Sequence, residues 1–189
     1  MRKLVLQTQC TINGFIGGVN GEMDWVTFAW TPDIIAYVTE LTNSMDTILL
    51  GRKLAEGFIP HWASVAADPN NPEYEAGKIF TETPKIVFSR TLTESPWDNT
   101  TIAKADLVQE VNELKQQDGK NIIAYGGAGF VSSLIAHDLI DEYHLFINPA
   151  AISSGLSIFG ALNALKHFQL ADAIKFECGI AVLKYQPSR

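Results

Sequence analysis

Ile122-Ile123-Ala124-Tyr125-Gly126-Gly127-Ala128-Gly129-Phe130 is the stretch that decides the fold. Its apolar start reads as a buried strand, and Phe130, Val131, Leu134 and Ile135 then recur at helical spacing. A strand that runs into glycine and then into a helix offers bare backbone N–H groups to an anion, and the positive helix end adds to the attraction. Far upstream, Thr47 to Leu50 reads as another short strand. It ends in Gly51-Arg52-Lys53, with two cations at its exit. Lys85 to Ser89 gives a further strand, followed by Arg90 and Thr91. Three strand exits thus carry the chemistry of a phosphate site assembled from separate parts of the chain.

Outward from these strands the pattern alternates. Leu4 to Gln9 is a first strand, and Asn13-Gly14, Gly17-Gly18 and Asn20-Gly21 mark a long glycine-rich loop reaching Trp25. Thr31-Pro32-Asp33 opens a helix whose buried face is Ile34, Val38, Leu41 and Met45. Residues 55–83 contain Pro60, Pro69 and Pro72, which predicts short helical pieces joined by surface loops. Thr100 to Ala103 is a further strand, and Asp106 with Gln109 forms a capping-box pattern ahead of Leu107, Val111 and Leu114. Tyr143 to Ile147 is closed by Asn148-Pro149, and two last strands turn near Gly179. Helices between strands act as crossovers, so the sheet is mainly parallel and covered on both faces. The expected fold class is α/β: a three-layer α/β/α sandwich with an antiparallel C-terminal strand, as one domain over residues 1–189. In such sheets ligands bind beyond the carboxyl ends of the strands, where Gly51, Ser89 and Gly126 fall.

Composition removes whole classes of function. A net charge of −7 argues against nucleic acid as a partner. No run approaches the roughly 18 apolar residues of a membrane span, and Gln7 and Gln9 break the only N-terminal stretch that could imitate a signal peptide. The expectation is a cytoplasmic protein acting on a small-molecule substrate. Cys10 and Cys178 read as small buried hydrophobes, and the four histidines lack metal-ligand spacing, so no metal is expected. Walker, nucleophile-elbow and zinc-deaminase signatures are all absent from the sequence.

Gly127-Ala128-Gly129-Phe130-Val131-Ser132 fits G-x-G-x-x-G except for serine in the last place. Its position two-thirds along the chain, with no acid at the end of the next strand, excludes a standard Rossmann domain. The same glycines also suit a purely structural turn, and Arg52 and Lys53 also suit a solvated surface. If the exits at Arg52 and Arg90 converge, paired guanidinium bonds to a ribose phosphate point to NADPH rather than NADH.

Five segments in order resemble the dihydrofolate reductase superfamily, in the branch of the riboflavin-biosynthesis deaminase–reductase's C-terminal domain. They are Thr11-Ile12-Asn13-Gly14-Phe15-Ile16, Thr47 through Lys53, Ile86 through Arg90, Tyr125 through Gly129, and Asp141 through Pro149 with Gly155 and Phe159. Asn13 stands where that branch often has aspartate, and Leu54 where threonine often follows the G-R turn. The resemblance implies an NADPH-dependent reductase of a pterin-like or ribosylaminopyrimidine-like heterocycle, in riboflavin biosynthesis, without the deaminase half. It places the cofactor against Gly51, Arg52, Lys53, Ser89, Arg90, Thr91 and Gly126 through Phe130 (Gly127, Ala128 and Gly129 between them). Substrate falls near Asn13, Asp24, Trp25 and Trp30, with core packing an equal reading for both tryptophans. Asp33 lies close to the family's proton-donating carboxylate, and serves equally well as a helix-start charge. Self-association into a homodimer is a further implication. Two other readings fit the same residues: a module that binds NADPH without turning it over, and a flavin-binding redox protein.

Overall fold

The computed structural model describes residues 1–188. Eight strands make one sheet: β1 (Leu4–Cys10), β2 (Met45–Gly51), β3 (Lys85–Phe88), β4 (Thr100–Ile102), β5 (Asn121–Tyr125), β6 (Glu142–Ile147), β7 (Phe168–Lys175) and β8 (Ala181–Pro187). Their order across the sheet is β4-β3-β2-β5-β1-β6-β8-β7. β1 to β6 are mutually parallel, while β8 runs antiparallel to β6 and β7. The antiparallel C-terminal strand read from the sequence is therefore β8, one place in from the edge that β7 forms.

Five helices cover the two faces: α1 (Pro32–Asn43), α2 (Arg52–Ala66), α3 (Tyr74–Glu82), α4 (Leu107–Gln116) and α5 (Ala128–Ala136). Alternation along β1 sends Leu4, Leu6 and Cys10 to one face, against Val111 and Leu114 of α4 and Val131 and Leu134 of α5. Val5 goes to the other face with Ile48, Leu50 and Ile123, under Leu41, Ala55, Ile59 and Phe80 of α1 to α3. Each fully buried aliphatic side chain contributes roughly 1.5–3 kcal/mol, and these two layers supply most of the drive to fold. Burial pushes the Cys10 thiol up to about 12, which leaves it an inert hydrophobe. Cys178 is only partly buried.

Residues 55–83 depart from expectation. Instead of short pieces, α2 continues for 15 residues straight through Pro60. The proline ring faces solvent, and burial of Ala55, Ile59 and Val65 along the opposite stripe offsets the lost backbone bond. At the start of α4 the capping box is only half built. Asp106 accepts from the N–H groups of Val108 and Gln109, but the Gln109 amide turns to Glu113.

The amino-terminal edge of the sheet is fastened by buried cations. Arg2 bonds Asp46, Thr47 Oγ1 at 2.8 Å and the Lys120 carbonyl at 2.6 Å. Lys115 Nζ lies 2.6 Å from Asp141, whose carboxylate also accepts the Leu4 N–H at 2.8 Å. Lys85 donates to the carbonyls of Phe80, Thr81 and Thr83 and so closes the end of α3; burial lowers its ammonium to about 8, still charged at neutral pH. His144, an interior residue of β6, bridges the Tyr37 hydroxyl at 2.6 Å and Glu142 at 2.7 Å.

Candidate functional site

The carboxyl edge of the sheet contains a notch. β5 pairs with β2 only as far as Leu49–Ala124 and with β1 only as far as Gln7–Tyr125. Its neighbours run on: β2 pairs with β3 to Gly51–Phe88, and β1 pairs with β6 to Cys10–Ile147. β5 is therefore a short strand between two longer ones, and Gly126-Gly127 forms the floor of the gap. A Cβ built on Gly126 would meet only one atom within 4 Å, Thr8 Oγ1 at 3.9 Å, so no side chain plugs the floor.

Two helices begin at this notch. α2 starts from Gly51 and α5 from Gly127, and neither start is capped by a side chain. Gly127 has φ of 86°, a left-handed conformation suited to glycine. The two starts pack reciprocally. A Cβ on Gly51 would lie 2.7 Å from Phe130 Cβ, and one on Gly127 would lie 3.7 Å from Leu54 Cβ. Each N-cap glycine thus rests against the third residue of the other helix. The first turns of α2 and α5 leave their N–H groups unpaired, and the two positive helix ends lie side by side. The end of β3 joins them: Phe88 stacks on Phe130 with ring centroids 5.1 Å apart.

The cations distribute unevenly. Arg52, in the first turn of α2, is paired to Glu56 one turn later, with about a third of its side chain exposed (35%). Lys53 and Arg90 are exposed. Ser89 is committed to its own loop, where its Oγ accepts the N–H groups of Thr91 at 3.1 Å and Leu92 at 2.9 Å. Ala128, Gly129 and Phe130 supply the first turn of α5.

On the proposed substrate side the geometry favours structural duties. Asn13 holds the 150–152 segment, its Nδ2 donating to the Ile152 carbonyl at 2.7 Å. Trp30 packs with Ile34, Phe146, Phe176, Ile180 and Val182, and its indole N–H is buried without a partner. Trp25 donates its indole N–H to the Glu22 carbonyl, and Asp24 is exposed. Asp33 accepts three hydrogen bonds, from the Thr31 hydroxyl and from the N–H groups of Glu177 and Ile34. Those bonds, the Thr31 hydroxyl foremost, hold its carboxyl below the usual range. It is ionised at neutral pH and ties the start of α1 to the β7–β8 turn.

Asn148 carries a role that the sequence reading missed. This fully buried side chain accepts the Thr27 N–H at 2.9 Å and donates to Gln9 Oε1 at 2.8 Å and to the Phe146 carbonyl at 3.1 Å. It pins the long first loop to the ends of β1 and β6. In the sequence, Asn148-Pro149 signals only where a strand stops.

A notched, mainly parallel sheet with helices packed on both faces makes this a three-layer α/β protein. The chain belongs to the RibD C-terminal domain family, whose model matches residues 2–182. It is 35% identical over 188 residues to the uncharacterized protein YyaP of Bacillus subtilis strain 168, covering 97% of this chain and 94% of that protein. Among solved structures, a Shewanella sp. PV-4 protein named for riboflavin biosynthesis superposes with a TM-score of 0.71 at 21% identity, each chain covered in full (100%). The Thermotoga maritima diaminohydroxyphosphoribosylaminopyrimidine deaminase/5-amino-6-(5-phosphoribosylamino)uracil reductase gives a TM-score of 0.69 at 20% identity, covering 99% of this chain and 57% of that one. The fold and the family read from the sequence are both borne out. No helix among the described residues is long and apolar enough to cross a membrane.

Proposed function

We propose that this protein is an NADPH-dependent reductase of a small heterocyclic substrate. One observation carries the reading: the two uncapped helix starts pack side by side next to the open floor at Gly126. A diphosphate fits that cradle because Gly126 leaves its floor open, the close packing at Gly51 and Gly127 brings the two helix starts side by side, and the unpaired N–H groups supply donors. Arg52 and Arg90 would hold an adenosine ribose phosphate, and Lys53 adds positive charge. The 5-amino-6-(5-phosphoribosylamino)uracil reductase activity named for the Thermotoga relative supports the substrate class.

NADPH, when bound, supplies hydride to an unsaturated carbon of the substrate. The chain's own contribution is orientation: the overhanging ends of β1 and β2 wall the notch, and the loop held by Asn148 closes over β1. Asp33 serves as a clamp for α1 in this reading, and water supplies the proton.

The ionised, fully engaged Asp33 also favours a second reading, a module that binds NADPH without turning it over. NADPH oxidation with any member of a panel of pterins and aminopyrimidines removes it. For the reductase itself, calorimetry should show NADPH bound more tightly than NADH. Arg52→Ala and Arg90→Ala should each shrink that preference at least tenfold. Equal affinity of the wild-type protein for both nucleotides overturns the reading.

A further inference from the structure

We propose that this protein carries a second binding site, apart from the notch, for a flat, uncharged aromatic molecule of one or two fused rings. The site is a cavity of about 250 Å³ bounded by α2, α3 and the loop that leads into β4. Phe58 and Trp62 of α2, Phe80 of α3 and Trp97 of the loop line it. Phe58 and Trp62 stand one helical turn apart, so their rings leave α2 on one face. Phe80 packs on both, with ring centroids 5.4 Å from Phe58 and 4.4 Å from Trp62. Trp97 packs against the same apolar cluster but forms no aromatic ring pair among the described residues. Ser95 holds its backbone: the Ser95 hydroxyl accepts the Trp97 N–H at 3.1 Å and donates to the Trp97 carbonyl at 3.0 Å. Three rings packed on one another and a fourth held separately therefore line the same open space.

The lining selects the ligand. Pockets for drug-sized molecules start at roughly 300 Å³, so this smaller one suits a single flat ring system. Aromatic walls hold such a ring by offset stacking and edge-to-face contact. Cages of aromatic rings also attract cations, but Lys85 decides against one here. Its side chain is buried and belongs to the lining, and its ammonium donates to the carbonyls of Phe80, Thr81 and Thr83. That charge repels a cation, and with its three hydrogens engaged it has no donor left for an anion. Asp98, the other charged lining residue, is exposed and screened by water.

The occupant is a free small molecule rather than a side chain of another protein. Pro60, Ala63, Pro96 and Asp98 are the exposed lining residues. The large exposed hydrophobics, Phe28, Ile12 and Leu165 foremost, all lie outside α2, α3 and this loop. A protein partner would need an apolar patch around the opening, and none surrounds it. The site is also remote from the nucleotide cradle. At 1.5 Å per residue, Phe58 and Ala63 stand roughly 10 and 18 Å along α2 from Gly51.

The test titrates indole into the ¹⁵N-labelled full chain and follows the side-chain N–H signals of its tryptophans by NMR. Cyclohexanol, a ring without π electrons, and tetramethylammonium, a cation, serve as comparisons. Indole should shift the signals of Trp62 and Trp97 and leave those of Trp25 and Trp30 in place, equally with and without saturating NADP+. Ala63→Leu fills the cavity from its rim and keeps all four rings, and it should weaken indole binding at least tenfold. Trp97→Ala should do the same by removing one wall. Neither change should alter the affinity for NADP+. Unmoved Trp62 and Trp97 signals, an equal response to either comparison compound, displacement of indole by NADP+, or unchanged affinity in Ala63→Leu overturns the proposal.

Discussion

At the amino-terminal edge of the sheet, Arg2, Lys85 and Lys115 are buried and each is bonded by carboxylates or carbonyls. At the carboxyl edge, two helices begin without caps, glycines replace side chains, and Arg90 and Lys53 stand in solvent. The same sheet thus spends its polar groups in two ways. One edge satisfies them internally and gains rigidity; the other leaves donors and cations unsatisfied, which costs stability and suits an anionic ligand. Substitutions at the first edge should act on folding, and those at the second on binding.

The largest expected effect is at the fastened edge. Asp141→Ala strands the buried Lys115 ammonium and frees the Leu4 N–H, so it should cost about 3–5 kcal/mol in urea unfolding. Nucleotide affinity of the molecules that remain folded should not change. Gly51→Val sharpens the contrast from the other edge. Its Cβ would stand 2.7 Å from Phe130 Cβ, so overpacking should cost about 1–3 kcal/mol. Here NADPH affinity should fall more than tenfold, because the two helix starts are forced apart.

Asp106→Ala tests what a cap is worth where the chain does use one. α4 should lose about 1 kcal/mol by the same urea assay, with NADPH affinity unchanged.

A further effect is in pH. The His144 hydrogen bond, with Lys184 and Lys3 nearby, holds the Glu142 carboxyl down at about 2 against its ordinary value of 4.5. A lowered carboxyl stabilises the fold above its ordinary value and loses that contribution as pH falls toward the folded one. The stability gap between wild type and Glu142→Gln should therefore be constant above pH 4.5 and shrink between about 4.5 and 2.

How much of this was legible in the sequence depends on the range of the interaction. At Gly51 the sequence marked the strand's glycine exit but not the helix that starts there. The glycine-to-helix turn at Gly127 is local chemistry, and it reads correctly. So does β8, because two strand patterns joined near Gly179 admit a hairpin. The continuation of α2 through Pro60 was hidden, since a proline's cost is local while the burial that outweighs it is tertiary. The notch was hidden for a similar reason: β5 is short only by comparison with β1 and β2, and register between distant strands leaves no mark in any one segment. Asn148 looked like punctuation because its partners, Gln9 and Thr27, lie more than a hundred residues away in sequence.

The structure of the protein with NADP+ bound tests the central claim most directly. The diphosphate should lie within hydrogen-bond reach of the first N–H groups of both α2 and α5, above Gly126-Gly127. A nucleotide bound elsewhere, or a diphosphate touching only one of the two helix starts, would contradict it.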